Sequence, residues 1–161
     1  MIVNIRRVLG LPYGKDVLAK DFKNEIPKIF SLAKKDVFMS TGLYSGFYNE
    51  GGIKTSIEKA IYTGVKLRIV IDKDGGKPVD WMKDEIKNGK IEIKRSTEKI
   101  RHIMIIDDKH IRIEDSHPYD MNETTSENIK NRICFNAPHF AEILKEDMEE
   151  IWKKYCVKEE I

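Results

Sequence analysis

The chain has 161 residues, 40% of them hydrophobic and 35% charged, a composition that fits one globular domain with a real core and a heavily charged surface. Its 29 basic and 27 acidic residues leave a net charge of +2, which excludes a strong uniform field for nucleic acid or an anionic membrane and leaves room only for local patches. The two cysteines, Cys134 and Cys156, have no metal-ligand spacing, and no apolar run is long enough for a secretory signal or a bilayer span. A reduced, cytoplasmic protein with no metal, no cofactor and no membrane partner is therefore expected.

The predicted elements begin with a strand over Met1–Leu9 and a turn at Leu11–Gly14. From Asp16 to Lys34, Val17, Leu18, Phe22, Ile26, Ile29, Phe30 and Ala33 recur at helical spacing, and Pro27 inside the run predicts a kink or a restart. Val37–Thr41 is a short apolar strand that opens into the loop Gly42–Gly52. Ile53–Tyr62 is a helix stopped by Gly64, and Val65–Ile71 a strand rich in β-branched residues, closed by Asp72–Gly76. A helix follows near Val79–Lys87, ended by Asn88-Gly89. Strands are predicted at Lys90–Arg95, Arg101–Ile106 and Lys109–Ile113, then a polar loop over Asp115–Glu127, a strand at Asn131–Phe135, and a last helix with Pro138 in its first turn. On that helix Phe140, Ile143, Leu144, Met148, Ile151, Trp152 and Tyr155 form one stripe, read as core. Strands alternating with helices predict an α/β fold, a mixed sheet flanked by helices on both faces.

Three of the four histidines, His102, His110 and His117, lie in or just beyond Lys99–Pro118. With Asp107-Asp108 as a two-residue turn, His102 faces Ile113, Met104 faces Ile111, and Arg101 faces Glu114 as a cross-strand ion pair. His102 then reads as a hydrogen-bonded, half-buried histidine or as part of a cleft. Arg112 has the charge for an anionic ligand or for a surface ion pair. Glu114, Asp115, His117 and His110 are the residue types that bind a divalent metal, but their spacing matches no recognised site; Asp115 with His117 also suits acid–base work. The loop Thr41–Gly46, with Ser45, can aim backbone N–H groups at an anion, although it lacks the lysine of a P-loop. Tyr44, Phe47 and Tyr48 suit an aromatic ligand wall, and equally core or dimer contacts. Lys87, Lys90, Lys94, Arg95, Lys99 and Arg101 form a basic run that reads as a solvated face, given the acidic residues interleaved along the chain, with nucleic acid as a partner left open.

Several landmarks in order resemble the phospholipase D-like superfamily. These are Val37–Gly46, the helix, Gly-Val step and strand of Ile53–Ile71, the strand Ile91–Arg95, the hairpin Arg101–Ile113 and the closing helix Phe140–Trp152. The resemblance implies a single domain over 1–161, with a phospholipase D-like core at 36–155 and an N-terminal helical extension at 1–35. Active members carry His-x-Lys, four residues, Asp, then Gly-Ser-x-Asn; the histidine attacks phosphorus, and two copies of the motif meet across a cleft. Anchored on Asp107, the motif here places Ile100 at the nucleophile and His102 at the lysine. Glu114, Asp115, Ser116 and His117 stand at the Gly-Ser-x-Asn positions. Anchored instead on His102 as nucleophile, it places Met104 at the lysine and Lys109 at the aspartate.

Both registers break the motif. The chain resembles the branch formed by the effector-binding domain of archaeal sugar-sensing transcription regulators, although the residues ahead of position 36 leave no room for a winged helix. The resemblance, with its motif broken, implies a non-catalytic binding or regulatory module, expected as a homodimer, with a cleft for a small polar or anionic ligand formed by His102, Arg112, Asp115, His117 and Ser45. The alternatives are a variant phosphodiesterase or nuclease using His102 or His117 with Asp107, and a ligand-free interaction subunit.

Overall fold

The computed structural model describes residues 5, 6, 8–115 and 128–161. Eight strands form one sheet: β1 (Tyr13–Leu18), β2 (Asp36–Thr41), β3 (Lys66–Ile71), β4 (Ile91–Ser96), β5 (Ile103–Ile106), β6 (His110–Glu114), β7 (Lys130–Phe135) and β8 (Cys156–Lys158). Their order across the sheet is β1-β7-β6-β5-β2-β3-β4-β8. The three central strands β2, β3 and β4 are parallel, and β5, β6, β7, β1 and β8 join antiparallel. The helices are α1 (Ala19–Phe30), the single turn α2 (Ser45–Tyr48), α3 (Gly51–Tyr62), α4 (Asp80–Lys87) and α5 (Pro138–Lys154).

Alternation along the strands divides the apolar residues between two layers. Val37, Met39, Leu67, Ile69, Ile71, Met104 and Ile106 pack under α1, α3 and α4. Phe38, Val70, Ile103, Ile105 and Ile111 pack under α5 through Ala141 and Met148. The expected mixed sheet with helices on both faces is present. No helix among the described residues is long and apolar enough to cross a membrane.

Four sequence expectations change. Ile5, Arg6 and Val8 are helical rather than extended. Residues 13–18 form β1, paired along its length with β7, and α1 starts only at Ala19 and runs through Pro27 to Phe30. Residues 13–35 are thus an edge strand and a core helix of the same unit, not a helical extension of it. The α5 stripe is only partly core: Met148 is fully buried, but Phe140, Ile143 and Tyr155 are 63%, 45% and 44% exposed. The polar loop lies, from residue 116 to 127, outside the described residues.

The fourth change is the hairpin register. Ile106 pairs with His110, Ile105 with Ile111, Met104 with Arg112 and Ile103 with Ile113. The connection therefore holds three residues, with Asp107 and Asp108 both left-handed at φ 50° and 55°, a conformation that Asp tolerates better than most side chains. The longer loop moves the partner strand by one position, which turns Arg112 onto the α1 side beside Met104 and brings Glu114 opposite His102 instead of Arg101.

Asp107 has a structural task in this turn. Its carboxylate accepts the backbone N–H groups of Lys34, Lys35 and Asp36 at 2.9, 2.9 and 3.1 Å, tying the hairpin to the entry of β2. Asp107→Ala leaves three donors without their charged acceptor and is expected to lower stability by about 2 kcal/mol, measured by urea denaturation. At the same end, buried His110 accepts a hydrogen bond at Nδ1 from the Asn136 N–H, 3.2 Å away. Burial, reinforced by Lys109, lowers its pKa from the usual histidine value. The native state thus binds a proton less readily than the unfolded chain. The contribution is present above the ordinary histidine pKa and is lost as pH falls through the lowered one. Wild type should lose stability relative to His110→Gln as pH drops from neutral to about 5, read by denaturation at each pH.

Candidate functional site

The carboxyl ends of β2 and β3 open beside the start of β5 and the end of β6, the place where open α/β sheets present their binding crevices. β2 pairs with β5 only over Val37–Met39, and beyond that point buried Ser40 replaces the ladder. Its hydroxyl donates to the Arg101 carbonyl at 2.6 Å and accepts the Ile103 N–H at 2.9 Å. This bridge fixes residues 101–103 and aims His102 at the strand ends.

His102 lies between two carboxylates. Nδ1 is 2.8 Å from Glu114 Oε1, and Nε2 is 3.2 Å from Asp72 Oδ2. Asp72 is 1% exposed, and its other oxygen accepts the Ile100 N–H at 3.3 Å. The second Glu114 oxygen takes a hydrogen bond from Arg112 Nη2. Arg112 is itself buried; Nε donates to Asn131 Oδ1 at 2.6 Å, and the guanidinium lies 4.4 Å from the centroid of the Phe22 ring. Burial pulls the arginine below its usual pKa, and Glu114 opposes that shift. Asn131 is fully buried, and among the described residues its Nδ2 has no partner.

The loop after β3 is folded tightly against the loop after β2. Asp72 N–H donates to the Thr41 carbonyl at 2.9 Å, and Gly76 N–H to that of Gly42 at 2.7 Å. A Cβ on Gly76 would stand 2.6 Å from the Leu43 carbonyl oxygen, so glycine alone fits. Arg95 gathers this loop from β4. It donates to the Asp72, Gly75 and Gly76 carbonyls at 3.2, 3.0 and 2.7 Å and holds the Glu159 carboxylate at 2.7 and 2.8 Å. Tyr44 stands at the rim, 53% exposed; partial burial, with Asp72, Glu114 and Asp74 behind it, raises its pKa. Tyr48 is buried and donates to Thr41 Oγ1 at 2.9 Å.

Of the residues singled out in the sequence, His102 and Arg112 meet through Glu114. Asp115 is exposed at the end of β6, its N–H on the Lys130 carbonyl at 2.9 Å, and Ser45 is exposed at the start of α2. His117 lies outside the described residues. Asp107 lies beyond the far end of β5 from His102, roughly 16 Å along the strand, and its oxygens are engaged by backbone. His110 is at that far end too. Among the described residues no group of three or more His, Cys, Asp or Glu is placed to hold a metal ion. Asp72, Asn131 and Ser40 were not legible as site residues, and Arg95 stood out only as part of a basic run. Asp72 reads as a turn acid, and Asn131 and Arg95 carry no local motif; only the fold brings them to the strand ends.

Glu114 is the hinge of this cluster, and Glu114→Ala strips a buried arginine of its counter-charge and His102 of one partner. The variant is expected to lose about 3–5 kcal/mol of stability, whereas an exposed acid such as Asp115→Ala should change it by less than about 0.5 kcal/mol; both are read by urea denaturation.

No protein-family model and no curated protein matches the chain. Solved structures do. TrmBL2, an archaeal chromatin protein with a novel mode of DNA binding, aligns with TM-score 0.69 and 16% identity over 98% of this chain and 59% of its own. Nuc of Salmonella typhimurium, a phospholipase D family member, aligns with TM-score 0.65 and 18% identity over 92% of this chain and 99% of its own. NucT from Helicobacter pylori gives TM-score 0.66 and 13% identity over 92% and 99%. The chain thus spans about three fifths of TrmBL2 and nearly the whole of the two Nuc proteins. With its mixed eight-stranded sheet and these neighbours, the chain has the phospholipase D-like fold and resembles TrmBL2 among the proteins that share it.

Proposed function

We propose that the chain is a non-catalytic binding or regulatory module on a phospholipase D-like frame, its strand-end cleft taking a small polar or anionic ligand. The observation that carries this reading is the state of His102. A histidine that attacks phosphorus needs a ring nitrogen turned to the substrate, and here the two nitrogens face Glu114 and Asp72. The fold's nucleophile position, in the register anchored on Asp107, holds Ile100, which has no nucleophilic atom. Two carboxylates beside the cleft also oppose the charge that builds up during phosphoryl transfer. Arg112, the cation best suited to offset them, is committed to Glu114 and Asn131.

In this reading Tyr44, Ser45 and Asp115 are the exposed groups a ligand meets first, with His102 behind them; His117 is kept as a candidate from the sequence alone. A second copy across the cleft completes the site, as the fold's pairing of two halves implies. The competing reading, a variant phosphodiesterase, draws on the match to nearly the full length of Nuc and NucT. It requires His102 to release one of its carboxylates.

The two readings separate in one assay. Wild type and His102→Ala are incubated with bis(p-nitrophenyl) phosphate and with single- and double-stranded DNA, with magnesium and with chelator. The expected outcome is no hydrolysis above buffer for either protein. Hydrolysis by wild type that is abolished in His102→Ala would establish the phosphodiesterase and end the non-catalytic reading.

A further inference from the structure

We propose that the rim where the three parallel strands begin, at the opposite end of the sheet from the cleft, docks the phosphate backbone of a nucleic-acid duplex. The surface consists of Lys34, Lys35, Lys59, Lys66, Lys87 and Lys90. Register brings it together from three segments of chain. Asp36 pairs with Lys66, and the Lys66 N–H donates to the Lys35 carbonyl at 2.9 Å. Leu67 pairs with Ile91, which sets Lys90 beside Lys66. The entries of β2, β3 and β4 therefore form a row with a step of about 4.8 Å. Lys59 and Lys87 come from the last turns of α3 and α4 above it. All six lysines are exposed.

The positive charge of this rim is only partly cancelled locally. Among the described residues Lys34, Lys35, Lys59, Lys66 and Lys87 make no ion pair, while Lys90 reaches Glu85 at 3.0 Å. Of the nearby acids, Glu58 lies 3.8 Å from Lys54, while the Asp107 carboxylate, bonded to the backbone N–H groups of residues 34–36, still offsets one lysine. Asp36 is half-buried, and Asp84 on α4, which is exposed, offsets one lysine. Lysines in last helical turns answer the helix dipole, which accounts for Lys59 and Lys87. It does not account for Lys34, Lys35 and Lys66 at strand entries.

The net charge of +2 includes acids away from this rim: α5 carries Glu142, Glu146, Asp147, Glu149 and Glu150 among three lysines, and the cleft end carries Asp72, Asp74, Glu114 and Asp115 beside Lys20, Lys73 and Lys77. Duplex phosphates suit such a rim, since they are recognised by point charges on long compliant stems and release counterions when met by them. An anionic membrane suits it less. Interfacial docking needs a broad apolar face beside the basic residues, and among the described residues the large exposed apolar side chain set between these lysines is Tyr62, with the Lys90 ammonium 4.9 Å from its ring centroid.

The test is fluorescence anisotropy of a short labelled duplex of mixed sequence at several salt concentrations. The rim variant is Lys34→Gln/Lys35→Gln/Lys66→Gln. The control, Lys20→Gln/Lys73→Gln/Lys77→Gln, removes the same charge at the cleft end, and Lys→Arg at the three rim positions keeps the charge. Wild type is expected to bind in a salt-dependent way. The rim variant should lose about tenfold or more in affinity and about one unit of salt slope per lysine, while the control and the arginine variant stay close to wild type. Equal binding by the rim variant, a loss as large in the control, no duplex binding by wild type at low salt, or binding to phosphatidylserine vesicles in place of the duplex would each overturn the proposal. Folding of wild type and of each surface variant is checked by circular dichroism and thermal melting.

Discussion

Burial of the Arg112 charge is the constraint around which the cleft end of this fold is organised. A guanidinium held 6% exposed under α1 is tolerable only with a counter-charge and with its remaining donors satisfied. Glu114 supplies the charge from the same strand two residues on, and Asn131 supplies an acceptor from the neighbouring strand. Because one Glu114 oxygen answers Arg112, the other is left for His102, and His102 in turn reaches Asp72 at the end of β3. One electrostatic requirement thus links β7, β6, β5 and β3 at their cleft ends. The Phe22 ring below Arg112 places the apolar side of the guanidinium against α1, so the same residue joins the sheet to the helix that covers it.

The opposite end of the sheet is held by different chemistry. There the Asp107 carboxylate gathers three backbone N–H groups before β2, and Asn136 N–H meets His110. These contacts hold the hairpin loop in the left-handed conformation that sets its register. Register then decides everything upstream: a two-residue loop would put Glu114 across from Arg101, turn Arg112 toward α5 and leave a positive charge against Ile103 and Ile105. The three-residue loop keeps that layer apolar. The turn and the buried cluster therefore support each other from the two ends of one hairpin.

The layers of the fold were legible because strand alternation and helix spacing are local properties. Val37–Thr41, Val65–Ile71 and Ile103–Ile106 announce themselves by apolar runs, and α3 and α5 by period. β1 was not legible, since Tyr13-Gly-Lys-Asp-Val-Leu18 has no alternation of its own and is a strand only because β7 offers a partner edge. β8 is three residues long and depends on β4 in the same way. The candidate site was half legible. His102 and Arg112 stood out as charge in an apolar hairpin, but the Asp-Asp pair reads as a two-residue turn when φ is not known, and that reading hides the contact of His102 with Glu114. Asp72 lies 30 residues from His102, a separation that no spacing rule bridges.

The chemistry of the cleft is set by where the carboxylates stand. A phosphate seat needs converging donors that are free to turn to the ligand. Here Arg95 commits its guanidinium to the carbonyls of residues 72, 75 and 76 and to Glu159, and Arg112 commits its own to Glu114 and Asn131. The cations are present but act as fasteners, each turned toward protein acceptors. Asp72 lends its two oxygens to the Ile100 backbone and to His102, so this acid too serves to hold the β5 entry in place. A cleft assembled this way has exchanged freedom of its charged groups for rigidity of its walls.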